Sequence, residues 1–135
     1  MPRFRPNEHL RKPTEFQAVY DRRRSAADGT LVVYARENGL GYSRLGLSVS
    51  RKVGNAVRRN RVRRLLREAF RLSKADMPPG YDLVLIPRSP DNIELTGVRL
   101  SLVKLTRQAV KKIIRDAEAL NPVETAPCSA PLLPG

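Results

Sequence analysis

Apolar and polar positions alternate along this chain with periods that change from segment to segment, and each period predicts an element. From Thr14, the residues Phe16, Val19 and Tyr20 return at helical spacing. Thr14-Glu15-Phe16-Gln17 has the form of a capping box in which Gln17 bonds back to the Thr14 amide, and this helix is expected to end in Arg22-Arg23-Arg24. After the turn Ala27-Asp28-Gly29, the β-branched and aromatic run Thr30–Glu37 predicts a strand. Beyond Asn38-Gly39-Leu40-Gly41 the period becomes two: Leu45, Leu47 and Val49 face one side, Gly46, Ser48 and Ser50 the other. The two strands are expected to pair as an antiparallel hairpin.

From Asn55 to about Leu72 the period is helical again. Met77-Pro78-Pro79-Gly80 ends it, and Tyr81–Ile86 is a short continuous apolar run, as expected of a strand covered on both faces or central in a sheet. Between roughly Leu95 and Ala119, the positions Leu102, Leu105, Ala109, Val110, Ile113, Ile114 and Ala117 mark one stripe of a long helix. This order implies an α+β sandwich, with helices packed on a small sheet. Residues 1–13, with three prolines and Arg3, Arg5, Arg11 and Lys12, suit an extended basic arm; residues 14–119 form one domain; residues 120–135 are Pro-rich and expected to be disordered.

Composition narrows the partner. The chain has 26 Lys and Arg against 13 Asp and Glu, a formal charge of +13, which calls for a polyanion. A membrane binder would pair its basic face with exposed Trp, Phe or Leu, and Trp is absent. No signal peptide or membrane span is evident, so a cytoplasmic location is expected. Cys128 and His9 are the only residues of their kinds, too few for a disulfide framework or a Cys- or His-based metal cage.

The charge is concentrated. Arg51 to Lys74 holds ten cations and the single acid Glu68, whereas the rest of the chain has 16 basic and 12 acidic residues. At 100° per residue from Val62, the residues Val62, Leu65, Leu66, Ala69 and Phe70 span about −60° to +80°, and Arg63, Arg67, Asn60, Arg71, Arg64 and Arg61 about 100° to 260°. A merely solvated face would interleave acids at i,i+4, and one glutamate cannot do so here. All the cations within Asn55–Leu72 are arginines, whose guanidinium fork grips phosphate at two points and stacks on bases. Asn60 is either a solvated polar residue or a contact to a sugar hydroxyl or base edge.

The stretch Gly46-Leu-Ser-Val-Ser-Arg-Lys-Val-Gly-Asn-Ala-Val-Arg-Arg-Asn-Arg-Val-Arg-Arg-Leu-Leu-Arg-Glu-Ala-Phe70, with Arg59-Asn60-Arg61 at its centre, resembles the signature of the bacterial ribonuclease P protein family. The resemblance extends from about residue 7 to 118. It implies a two-layer α/β sandwich with a mostly antiparallel sheet in the order α-β-β-β-α-β-α, a topology shared with a ribosomal protein domain. The implied strand–helix–strand crossover is left-handed, where general rules predict a right-handed one. The resemblance also implies an accessory subunit, one per catalytic RNA, in an enzyme whose RNA uses magnesium to remove the 5′ leader of precursor tRNA. The protein itself would have no catalytic residue, cofactor or metal site. By the same resemblance Arg59, Asn60, Arg61, Arg63, Arg64 and Arg67 face the catalytic RNA. Phe16, Tyr20, Tyr34, Ser48, Arg51 and Lys52, with Arg36, line the cleft for the single-stranded leader. On spacing alone, core packing is the commoner fate of such rings, though rings and cations on one groove also suit unpaired bases.

Two other functions compete. A nuclease with its own two-metal site needs clustered carboxylates, and Glu68, Asp82, Asp91 and Glu94 fall on different elements. A ribosomal or general RNA-binding protein would use the same helix and sheet. No P-loop or dinucleotide fingerprint is present, and DNA is not an expected partner.

Overall fold

A computed structural model describes residues 8–88 and 94–120. The expectations for residues 1–7, Asp91 and the Pro-rich tail with Cys128 fall outside them.

Helix α1 spans Pro13–Arg22, one residue earlier than the sequence pattern suggests. Pro13 occupies the first turn, where a missing N–H costs nothing, and Lys12 is the N-cap. The acid that caps is Glu15, whose carboxylate accepts from the amides of Arg11 (3.1 Å) and Lys12 (3.0 Å); Gln17 instead donates to Asp21 (2.8 Å). Arg23 turns left-handed (φ 57°), and its amide donates to the Tyr20 carbonyl. Arg24 therefore opens a strand, β1 (Arg24–Ala27), rather than closing the helix. Ser25-Ala26-Ala27 has no β-branched or aromatic residue, so its composition does not announce a strand.

Strands β2 (Leu31–Glu37), β3 (Arg44–Leu47) and β4 (Tyr81–Pro87) complete a four-stranded sheet in the order β1-β2-β4-β3. The expected hairpin of the second and third strands does not form: β4 lies between them, antiparallel to β2 and parallel to β3. Burial explains the placement. Leu83 and Leu85 are fully buried on one face of β4 and Val84 on the other, which suits a central position, whereas β2 buries Leu31, Val33 and Ala35 on one face only. Asp82, 1% exposed, sits in register between Arg36 and Arg44, and its carboxylate takes the Arg44 guanidinium at 2.8 and 2.6 Å.

Helices α2 (Ala56–Ser73) and α3 (Leu95–Leu120) form the second layer over the face of Leu31, Val33, Leu83 and Leu85. On α2, Val62, Leu66, Ala69 and Phe70 are buried and Leu65 half-buried, matching the expected stripe. On α3, Leu102, Leu105, Ala109, Val110 and Ile113 are buried, but Ile114 is 47% exposed and Ala117 is exposed, so the stripe is shorter than the sequence suggests. At that level Asp116 takes over the fastening, bonding Arg22 (2.9 Å) and Arg24 at the junction of α1 and β1. Helix α1 crosses the opposite face of the sheet, where Leu10, Val19 and Val84 are buried and Phe16, Tyr20, Tyr34 and Ile86 remain half-buried around them. Leu10, in the segment that reads as an arm, bonds through its amide to the Leu45 carbonyl.

Candidate nucleic-acid interface

The geometry of α2 begins with Gly54 and Asn55. Gly54 has φ 142°, which calls for glycine; a Cβ there would also lie 2.7 Å from Arg58 Cδ and push that side chain aside. Asn55 caps α2 by accepting from the Arg58 amide at 3.0 Å. With the start so fixed, Val62, Leu66 and Phe70 face the core, and Asn60, Arg61, Arg64 and Arg67 are exposed on the outward side. Arg63 is half-buried and donates to Asn60 Oδ1 at 2.9 Å, which orients both side chains. Arg59 stands at the edge of the core, with Nε buried and without a hydrogen-bond partner among the described residues. Arg71 leaves the set, because its guanidinium is bound by Glu68 at 2.6 and 2.9 Å. Among the described residues, no ion pair reaches Arg59, Arg61, Arg63, Arg64 or Arg67. Val57, 70% exposed, falls on the same outward face.

The other candidate residues meet on the α1 side of the sheet in three registered rows. Arg36, Asp82 and Arg44 form the first; Ser25, Tyr34, Val84 and Gly46 the second; Val32 and Ile86 the third, which Ser48 extends by donating its amide to the Leu85 carbonyl. Phe16 lies directly over Gly46: a Cβ on that glycine would be 2.8 Å from the ring. Tyr20 meets Tyr34 edge to face, with ring centroids 5.1 Å apart. The three rings are half-buried, packed around Leu10, Val19 and Val84. They are neither fully in the core nor free of it. Arg51 and Lys52 are exposed on the 3-10 turn Arg51–Val53 that follows β3. Arg36 shares the face but lies in the Asp82 row, beyond Tyr34 and away from Ser48.

A concavity of about 130 Å³ lies between Phe16 and α2, lined by His9, Leu10, Phe16, Leu45, Leu47, Arg63 and Arg67. His9 is held below its ordinary pKa by burial and then by the charges of Arg11 and Arg67. Sequence reasoning did not single out His9, Leu10, Arg44, Gly46, Val84 or Ile86 for this site. Gly46 carried a usable signal, as a glycine in the otherwise regular alternation of a strand marks a close approach. Arg44 carried none; its role depends on Glu15 (3.1 Å) and Asp82, far away in sequence. Among the described residues, no three His, Cys, Asp or Glu side chains converge on a metal-sized space, and no helix is long and apolar enough to cross a membrane.

The family described as ribonuclease P matches residues 4–113. A ribonuclease P protein component of Brevibacillus brevis is 42% identical over 117 residues, covering 85% of this chain and 91% of that one. Another, from Clostridioides difficile, is 48% identical over 86 residues, covering 63% and 75%. The solved ribonuclease P protein of Thermotoga maritima superposes with a TM-score of 0.67 at 39% identity over 74% of this chain and 96% of that one. The Staphylococcus aureus protein gives 0.65 at 31% identity over 74% and 93%. The chain belongs to the bacterial ribonuclease P protein family and is thus the protein component of a tRNA-processing ribonucleoprotein.

Proposed function

We propose that the outward face of α2 docks on the RNA of ribonuclease P while the groove under α1 holds the unpaired 5′ leader of precursor tRNA, so that the RNA removes the leader. The observation that carries this reading is that Arg61, Arg64 and Arg67 on α2 have no acidic partner among the described residues, in a fold whose Phe16, Tyr20 and Tyr34 rings stay half-buried on the α1 side of the sheet. Unpaired guanidinium groups suit a phosphate backbone, and each ring offers an unpaired base about 1–3 kcal/mol of stacking with little sequence preference. One protein acts per catalytic RNA, in the cytoplasm. Magnesium belongs to the RNA in this reading.

Two sets of substitutions separate the surfaces. Arg61→Ala with Arg64→Ala should weaken binding of ribonuclease P RNA and lower the salt slope by roughly 1.4–1.8. Phe16→Ala or Tyr34→Ala should lower affinity for precursor tRNA by roughly 5- to 150-fold and leave mature tRNA unchanged. Melting curves run alongside would show whether the rings act only as core. Equal affinity for ribosomal and ribonuclease P RNA at matched salt would favour a general RNA-binding protein instead. Cleavage of precursor tRNA by the RNA-free protein with magnesium would overturn the accessory role.

A further inference from the structure

The outward side of α3 carries a second line of cations that the docking reading does not use. Lys104, Arg107, Lys111 and Arg115 recur at spacings of three, four and four, one per helical turn, and all are exposed. Neighbours of like charge at these spacings destabilise a helix by a few tenths of a kcal/mol each. Acids on α3 do little to relieve them: Asp116 is bound by Arg22 and Arg24 at the α1–β1 junction, and Glu118 follows only after Arg115. Lys104 reaches Asp28 at 3.3 Å, while Lys111 and Arg115 make no ion pair among the described residues. At its N-terminal end the ridge runs into a groove of about 410 Å³ between α3 and the end of α2. Two guanidinium groups are fixed there by backbone carbonyls, Arg99 on Leu72 (3.3 Å) and Arg107 on Asp76 (2.8 Å).

From this arrangement we infer that the α3 ridge is a further RNA-binding surface, which takes the sugar–phosphate backbone of a duplex segment of the ribonuclease P RNA. Duplex is favoured over unpaired RNA because α3 has no aromatic residue on which a base would stack. Lysines are mixed with the arginines, as suits point contacts to phosphate that carry no sequence information. The leader is not the occupant, since α1 and the groove lie on the opposite face of the sheet from α3. The catalytic RNA is the partner large enough to approach both sides. The inference rests on the reading that this protein binds that RNA, but it does not require α2 to be the docking face.

The test is a salt titration of full-length protein binding to ribonuclease P RNA, with three double variants. Lys111→Ala with Arg115→Ala should weaken binding and lower the salt slope by roughly 1.4–1.8, with a melting temperature no lower than the parent's and the precursor-to-mature affinity ratio unchanged. Lys12→Gln with Gln17→Glu removes the same net charge from α1, on the opposite face of the sheet; a ridge variant no weaker than this control overturns the inference. Arg61→Ala with Arg64→Ala reports on α2 independently. If it weakens binding and the ridge variant does not, only the ridge fails; if it too has no effect, the docking reading of α2 fails with it. A ridge variant that alters the precursor-to-mature ratio would place the ridge on the substrate and overturn its assignment to the catalytic RNA.

Discussion

Gly46→Ala tests whether the groove owes its shape to one missing methyl group. The new Cβ would stand 2.8 Å from Phe16 Cζ, 2.9 Å from Cε2 and 3.1 Å from Leu10 Cβ. Ordinary contact begins near 3.4 Å, so the ring has to withdraw by about 0.6 Å and Leu10 by about 0.3 Å. Helix α1 cannot retreat freely, because Glu15 is tied to Arg44 and Arg22 to Glu37 and Asp116; the ring has to pivot instead. Overpacking of this kind costs about 1–3 kcal/mol, and replacing glycine within a strand returns about 0.5–1. Phe16 is only half-buried, which places the net in the lower half of the range that remains, about 1 kcal/mol, or roughly 4–8 °C in melting temperature. The precursor-to-mature affinity ratio should fall with it, while affinity for the catalytic RNA stays at the parent value. Phe16→Ala in the same chain removes the atoms that collide, so adding Gly46→Ala to it should cost little further. If Gly46→Ala leaves both the melting temperature and the ratio unchanged, or if its cost persists undiminished in Phe16→Ala, the contact does not set the groove.

Asp82→Asn should destabilise the fold by about 2–3 kcal/mol in urea unfolding, below the usual 3–5 for a broken buried pair because Arg44 is partly exposed and keeps Glu15. Its effect on leader binding should exceed that on RNA docking, since Arg44 fixes α1 over the sheet. Acid stability should reflect Asp116, whose carboxyl is held down to about 2 by hydrogen bonds from Arg24 and then Arg22. A depressed folded-state pKa gives stability that is complete above the ordinary 3.8 and is lost as pH falls from there towards 2. The loss across that window should be smaller in Asp116→Asn, and an identical acid profile would show that the two arginines do not hold the carboxylate.

Elements whose own residues carry the instruction were legible before the structure. Helix α2 is one: its extent, its stripe and its outward arginines follow from local spacing, and Phe70 falls where the period puts it. The centrality of β4 was legible too, because Leu83, Val84 and Leu85 leave no face for water. What was not legible depends on partners distant in sequence. Neighbouring strands in the chain favour a hairpin, and only the two-sided burial of β4 and the Asp82–Arg44 pair draw β3 to its far side. Strand β1 has no strand-forming residue and exists through its pairing with β2. Phe16, Tyr20 and Tyr34 stand out in the sequence as aromatic types; that they share one side of the sheet depends on contacts such as Phe16 on Gly46, thirty positions away.

The distribution of acids sharpens the meaning of the charge on α2. Sequence counting finds an excess there but cannot tell structural cations from binding ones. In the fold, Glu15 and Asp82 hold Arg44, Glu37 and Asp116 hold Arg22, Asp116 also holds Arg24, and Glu8 holds Lys74. Each of these pairs joins separate segments, so the acids are placed where elements meet. Only Glu68 lies within α2, and it takes Arg71, at the C-terminal end of the basic face. Arg61, Arg64 and Arg67 make no ion pair among the described residues, while the acids at these junctions are held by other cations. Neutralising the face by surface substitution should then leave the element junctions intact and lower RNA affinity alone, whereas removing an acid at a junction should lower the melting temperature and leave the cations of the face in place.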